Sequence, residues 1–281
     1  TALGNATDAE GLESTALGVR ARALADFTTA TGSNATASGE FATAMGWIAN
    51  AEGRSSTAIG ANADALGSHS TALGNATDAE GLESTAVGVK ARALADYATA
   101  TGSNSLATGV FSTANGYIAN AAGRSATAIG ANADALGDRS TAVGNATDAT
   151  GLESSAFGVL AVASGANSVA VGSGAVASNE DSVAVGDKAL ASGFHSTAVG
   201  GESVASGLGA QAFGWQASAT GASALAVGRV SNAAFANSTA IGVGATTNRA
   251  GQVKLGGTGS SVTIGDLAAS TAAQSGTLSV A

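Results

Sequence analysis

Nineteen glycines fall in one unbroken fourteen-residue register, from Gly4 and Gly18 to Gly242 and Gly256. A spacing held over that length means a repeat architecture, and it constrains the fold before any local signal does. An alanine stands two residues before each of the first eighteen, Ala2 and Ala16 onward to Ala240, so the unit reads S/T-x-A-x-G. A longer period lies over the short one. Residues 1–70 and 71–140 agree at 55 of 70 positions, and seventy residues are five units of fourteen.

A second glycine follows the first after seven residues in 13 of 18 units; the exceptions are Ala25, Ala95, Asn179, Phe235 and Arg249. Each unit therefore divides into two short segments ended by turn residues. Glycine suits such turns because it takes positive φ without a Cβ penalty. Between the turns apolar and polar residues alternate with period two, which specifies strands. Stacked coil on coil, the strands predict two parallel sheets with neighbours about 4.8 Å apart. Proline is absent, as expected where nearly every backbone N–H joins a ladder.

The alternation also assigns faces. In the first strand the Ser/Thr and Ala positions point inward, and in the second strand Ala21 and Ala23, or Ala63 and Ala65, point back at them. The interior is then narrow, with no room for leucine. The outer face of the second strand reads as polar, with Arg20, Arg22, Asn50, Glu52, Asn62 and Asp64. The residue before each first glycine points outward from the first strand and is mostly apolar. That ridge comprises Leu3, Leu17, Met45, Ile59, Leu73, Val87, Ile129, Val143, Phe157, Val171, Val185, Val199, Phe213, Val227 and Ile241, with Asn115 as its one amide. Left in water it would run the length of the molecule, far beyond the patches that monomers tolerate. A symmetric homo-oligomer closed around the ridge is the simplest cover, so these sixteen residues are the expected interface.

Composition excludes several classes. Charged residues are 11% and aromatics 4%, too little bulk for an ordinary globular core of this length. The net charge of −9 argues against nucleic acid, which needs a basic stripe. No apolar run approaches a membrane span. There is no cysteine, hence no disulfide or thiolate metal site. The chain opens inside a unit whose first residue is missing, which suggests a piece of a longer protein, since natural proteins cover such an edge.

The S/T-x-A-x-G unit at spacing fourteen, with fuller forms at Asn167-Ser168-Val169-Ala170-Val171-Gly172 and Asn237-Ser238-Thr239-Ala240-Ile241-Gly242, resembles the YadA-like head of trimeric autotransporter adhesins. The likeness covers residues 1 to about 250. It implies an all-β fold, a single-stranded left-handed parallel β-roll (β-solenoid) with 14 residues per turn, assembled as a parallel homotrimer. It further implies a bacterial cell-surface location, anchored in the outer membrane by parts of the protein beyond this chain. The family motif often adds a serine three residues after the glycine, where this chain has Ala175 and Ala245. After Arg249 the pattern fails, Lys254 replacing the alanine, so residues 251–281 read as an exit or connector to a following module.

Chemistry has little foothold. His69 and His195 lie nine units apart, about 43 Å along the stack, and cannot share a site. Carboxylates recur at Asp8, Glu10 and Glu13, and at Asp78, Glu80 and Glu83. They lack the nine-residue GGxGxD pattern of calcium solenoids, and Arg22 and Arg92 stand one coil above Asp8 and Asp78 as ion-pair partners. No catalytic residue, metal site or cofactor is expected. Threonine fills one column through eleven units, Thr1 to Thr141, which keeps an ice-binding or surface-ordering solenoid open as an alternative; a passive spacer is another. Arg20 with Arg22, Lys90 with Arg92, Asn167 and Asn237 form the candidate ligand surface. Trp47, Tyr117, Trp215 and the column Phe27, Phe41, Tyr97 and Phe111 either plug turn corners or contact a partner. The expected partners are two further copies of the chain and a host matrix protein, cell-surface protein or glycan. The expected function is attachment by multivalent binding.

Overall fold

The computed structural model describes residues 1–261, and among them there are strands and turns but no helix. Each fourteen-residue coil contributes a three-residue strand to one parallel sheet and a two-residue strand to another, as Thr15–Leu17 and Arg22–Ala23 do. The first sheet has 19 strands and the second 17. Register is strict. Thr15, Ala16 and Leu17 pair with Thr29, Ala30 and Thr31 one coil on. Later coils with valine in place of that threonine do not slip, Val169, Ala170 and Val171 pairing with Val183, Ala184 and Val185. Fourteen is thus a geometric period as well as a sequence one.

The interior is as thin as the alternation demanded. Every buried apolar residue is an alanine, and the buried polar residues are all serine or threonine. The largest fully buried side chains are Thr28, Thr77 and Thr147. Buried hydroxyls bond locally, Thr28 Oγ1 donating to the Ala25 carbonyl at 2.7 Å and Ser154 Oγ to the Gly151 carbonyl at 2.8 Å. Other serines in the same column, such as Ser56, Ser70 and Ser84, occupy rotamers with no partner, and the bond Ser154 makes is one χ1 rotation away from them.

The turns correct the sequence reading in two respects. The first glycine of each coil does need its positive φ, which runs from 117° at Gly242 to 147° at Gly144 over the first eighteen and is 76° at Gly256. The mid-coil glycine does not. It is favoured because the next coil lies against it: a Cβ on Gly53 would sit 1.9 Å from the Gly67 carbonyl oxygen. The left-handed corners fall twice per coil, seven apart, and most are held by residues other than glycine, as Arg20 (φ 57°) and Phe27 (φ 60°) show, with Gly174, Gly209, Gly244 and Gly251 at four of them. Ile48, Ile118 and Val230 occupy such corners, although β-branched residues are genuine outliers there. Stacking geometry overrides local preference. Arg20 and Asn62 accordingly sit in the corner before the second strand, not on its outer face as expected.

At the far end the first sheet takes one further strand, Val253–Leu255, which pairs with Thr239–Ile241 in the fourteen-residue register. There Lys254 stands exposed in the column that alanine fills elsewhere. The second sheet ends in a single bridge from Asn232 to Thr246. Most of the connector expected over 251–281 lies outside the described residues.

Candidate functional site

The ridge is where the sequence placed it. Its residues lie on the outer side of the first sheet, one per coil, and each is half-buried or exposed in the single chain. Leu3, Met45, Leu73, Ile129, Phe157, Val171 and Ile241 are among the exposed large apolar side chains. Asn115 is exposed in the same column, between Thr101 and Ile129. The threonine column runs beside it, half-buried from Thr15 to Thr141. One face of the molecule therefore presents a line of aliphatic and aromatic side chains backed by β-branched ones, on a rigid ladder.

The second sheet's outer face differs along its length. Through Asp148 it carries Asp8, Arg22, Thr36, Asn50, Asp64, Asp78 and Arg92, with Leu106 the exception. Then Val162, Val176, Leu190 and Val204 pair in register over four consecutive coils. The expectation of a uniformly polar face fails there. The stripe is visible in the sequence once this column, like the ridge, is read coil by coil.

Electrostatics on this face follow the coil spacing. Arg92 Nε meets Asp78 Oδ2 at 3.1 Å, the axial pair expected from the repeat. Arg22 stands in register with Asp8 but forms no ion pair among the described residues. Asp64 and Asp78 stack as neighbours, and so do Asp134 and Asp148. Burial, then the Asp78 charge, pushes the Asp64 carboxyl above its usual range, and burial followed by Asp134 does the same to Asp148. Among the described residues no three His, Asp or Glu side chains are grouped to hold a metal ion.

The candidate ligand residues occupy three separate lines. Arg20 and Lys90 are left-handed corner residues after the first glycine, while Arg22 and Arg92 follow on the second sheet. Asn167 and Asn237 stand at the opposite corner, φ 54° and 56°. Each basic pair is local, and the asparagines do not join it. His69 and His195 share that opposite corner, and His195 Nδ1 lies 3.5 Å from Asp181 Oδ2. In the same corner column Phe27 stacks on Phe41 and Tyr97 on Phe111, while Trp47, Tyr117 and Trp215 stand exposed at the first corner.

The YadA head domain repeat model matches in overlapping copies over residues 1–77, 79–105, 107–147 and 149–245. The chain belongs to the YadA head-repeat family. Its parallel β-solenoid of fourteen-residue coils is the setting in which the ridge and corner columns of this adhesin head have to be understood. Among solved structures it is similar to the collagen-binding domain of the Yersinia adhesin YadA, at 25% identity over 70% of this chain and 79% of that one, with a TM-score of 0.21. Comparison with curated proteins gives no match.

Proposed function

We propose that the chain is the head of a bacterial surface adhesin in which three copies wind in parallel as left-handed rolls around a shared axis, the ridge of each turned inward. The observation that carries this is the ridge itself. More than a dozen apolar side chains stand in one outward column that no described part of the chain covers, and covering each is worth about 1.5–3 kcal/mol. Membership of the family supports three as the number of chains and a place outside the cell, with outer-membrane parts of the protein as the proposed anchor. In this reading residues 1–250 are the roll and 251–281 lead into the next module.

Function follows from repetition rather than from a catalytic centre. Three chains with near-identical coils present the same weak contact many times, and linked weak contacts give an avidity 10²–10⁴ above the single site, as an order of magnitude. Host matrix proteins, cell-surface proteins or glycans are the proposed ligands, met on the outward corners and the second sheet. The test is attachment of the purified chain to matrix-coated wells and cell layers, compared with Val171→Asp/Val185→Asp, which places charge in the ridge. Retention by the parent and loss by the variant support the reading. Equal retention by a monomeric variant would remove multivalency from the mechanism.

A further inference from the structure

Two blocks five coils apart carry the same order of residues along the second corner of the coil: Phe27, Phe41 and Arg54, then Tyr97, Phe111 and Arg124. In each block the two rings stack face to face, with centroids 5.0 and 4.8 Å apart. The next corner residue is a serine in both, Ser55 and Ser125, so the second ring has no aromatic neighbour on the coil that follows.

The blocks differ in how that ring face is treated. Arg54 lies over Phe41, 5.8 Å from the ring centroid, and Glu40 Oε2 holds its Nε at 3.1 Å. Val110 stands where Glu40 would be in the second block. Without that carboxylate, Arg124 forms no ion pair among the described residues and does not lie over Phe111. Phe111 is correspondingly more open, 52% exposed against 45% for Phe41. On the two coils that follow, Arg124, Ser125, Asp138 and Arg139 line a cleft of about 380 Å³, a volume within the range of small-molecule sites, and Ser125 is the corner residue next after Phe111. Asp138 is committed to the turn, its Oδ1 accepting the Arg124 backbone N–H at 2.9 Å. Arg139 pairs with Glu153 through Nη2, which leaves the rest of its donor fork.

We propose that this cleft binds a sugar ring bearing a carboxylate or sulfate group. The apolar side of the ring lies on Phe111, whose electron-rich face attracts polarised C–H groups. The anionic group takes charge-assisted hydrogen bonds from Arg124 and Arg139, a task for which the guanidinium fork is well shaped. The Ser125 hydroxyl serves a ring hydroxyl. A neutral sugar lacks the charge the arginines require, and a free phosphate lacks the ring that Phe111 requires. The site lies within one chain and does not rest on the trimer; it deepens the glycan part of the adhesion reading, and titration of a defined sugar can fail while attachment to matrix-coated wells succeeds.

Isothermal titration of the full chain with a sulfated heparin oligosaccharide, a uronate-bearing hyaluronan oligosaccharide and a neutral chito-oligosaccharide tests this. At least one anionic sugar binds: binding of hyaluronan shows that a carboxylate suffices, and binding of heparin alone that sulfate is needed; the neutral sugar does not bind. Arg124→Gln weakens binding by at least about tenfold, the loss of one charge-assisted contact. Val110→Glu, which restores the pinning carboxylate, weakens it similarly while keeping the arginine. Glu40→Val releases Arg54 and adds a second, weaker site. Absence of anionic-sugar binding, equal binding of the neutral sugar, or indifference to both Arg124→Gln and Val110→Glu would overturn the proposal.

Discussion

Gly137→Ala puts one methyl group between two coils and measures how tightly they are stacked. The added Cβ would lie 1.9 Å from the Gly151 carbonyl oxygen and 2.5 Å from its carbon, both backbone atoms of the next coil. Neither can rotate aside, so the coils must part or the local ladder must shift. The chain shows what the second route entails. Gly137 donates to the Ala149 carbonyl at 3.4 Å, a bond that Ala25 and Ala95 in this column do without, as do Gly11, Gly81 and Gly207, so a shifted ladder forgoes one long hydrogen bond. Losing such a bond costs about 1 kcal/mol, and overpacking adds about 1–3 kcal/mol. With roughly 2–4 °C per kcal/mol for a chain of this size, the melting temperature should fall by about 5–10 °C. Gly174→Ala is the control. Its φ of 61° gives alanine only the left-handed penalty of about 1–2 kcal/mol, and the nearest neighbour is a flexible Lys188 Cγ at 3.5 Å. Thermal unfolding followed by circular dichroism separates the two. If Gly137→Ala melts no lower than Gly174→Ala, close coil approach is not why glycine holds that column.

Ala184→Leu forces bulk into the alanine interior and should lower stability by about 1–3 kcal/mol or more, whereas Thr36→Leu, on the outer side of the second sheet, should be nearly neutral; equal effects in denaturant titrations would refute the assignment of faces. Asn115→Val removes the one amide from the ridge and should raise the melting temperature while increasing misaligned species on refolding, since a polar residue in an apolar seam sets register at some expense of stability; a melting temperature lower by several degrees with unchanged refolding yield would place Asn115 outside the seam. Asp64 and Asp148 are held above the ordinary carboxyl range of about 3.8, so stability should rise as pH falls through their folded values and level off below the unfolded one. Asp64→Asn with Asp148→Asn should stabilise the chain at neutral pH and flatten that dependence in pH-resolved melts; an unchanged profile would show that the stacked carboxylates carry no such penalty.

Much of this was legible because a repeat lets one column be read many times. The inward alanines, the outward ridge and the parallel register needed only the fourteen-residue spacing and the alternation around Ala16 and Leu17. The corner conformation was legible only in part: Asn34, Asn62, Asn167 and Gly174 stand at corners, but Ile48, Phe27 and Leu160 share the same two columns, and there φ is imposed by the coils above and below. The mid-coil glycine was visible, but its cause was not, since a residue needed for an open φ and one needed for a close neighbour look alike in sequence. The Val162–Val204 stripe is legible in the sequence too, but only when the column is followed past Asp148, because the coils before it are mostly polar there. The unpinned Arg124 beyond Phe111 follows from Val110 standing where Glu40 stands five coils earlier, a difference whose effect appears only once Arg54 is seen lying over Phe41.

The ridge from Leu17 to Ile241 is the proposed interface between chains. Sedimentation equilibrium of the folded chain at low micromolar concentration addresses it without any assumption about ligand. A single species of three times the 26.3 kDa chain mass is predicted, with no folded monomer on dilution. A folded, monodisperse monomer of 26.3 kDa would contradict it.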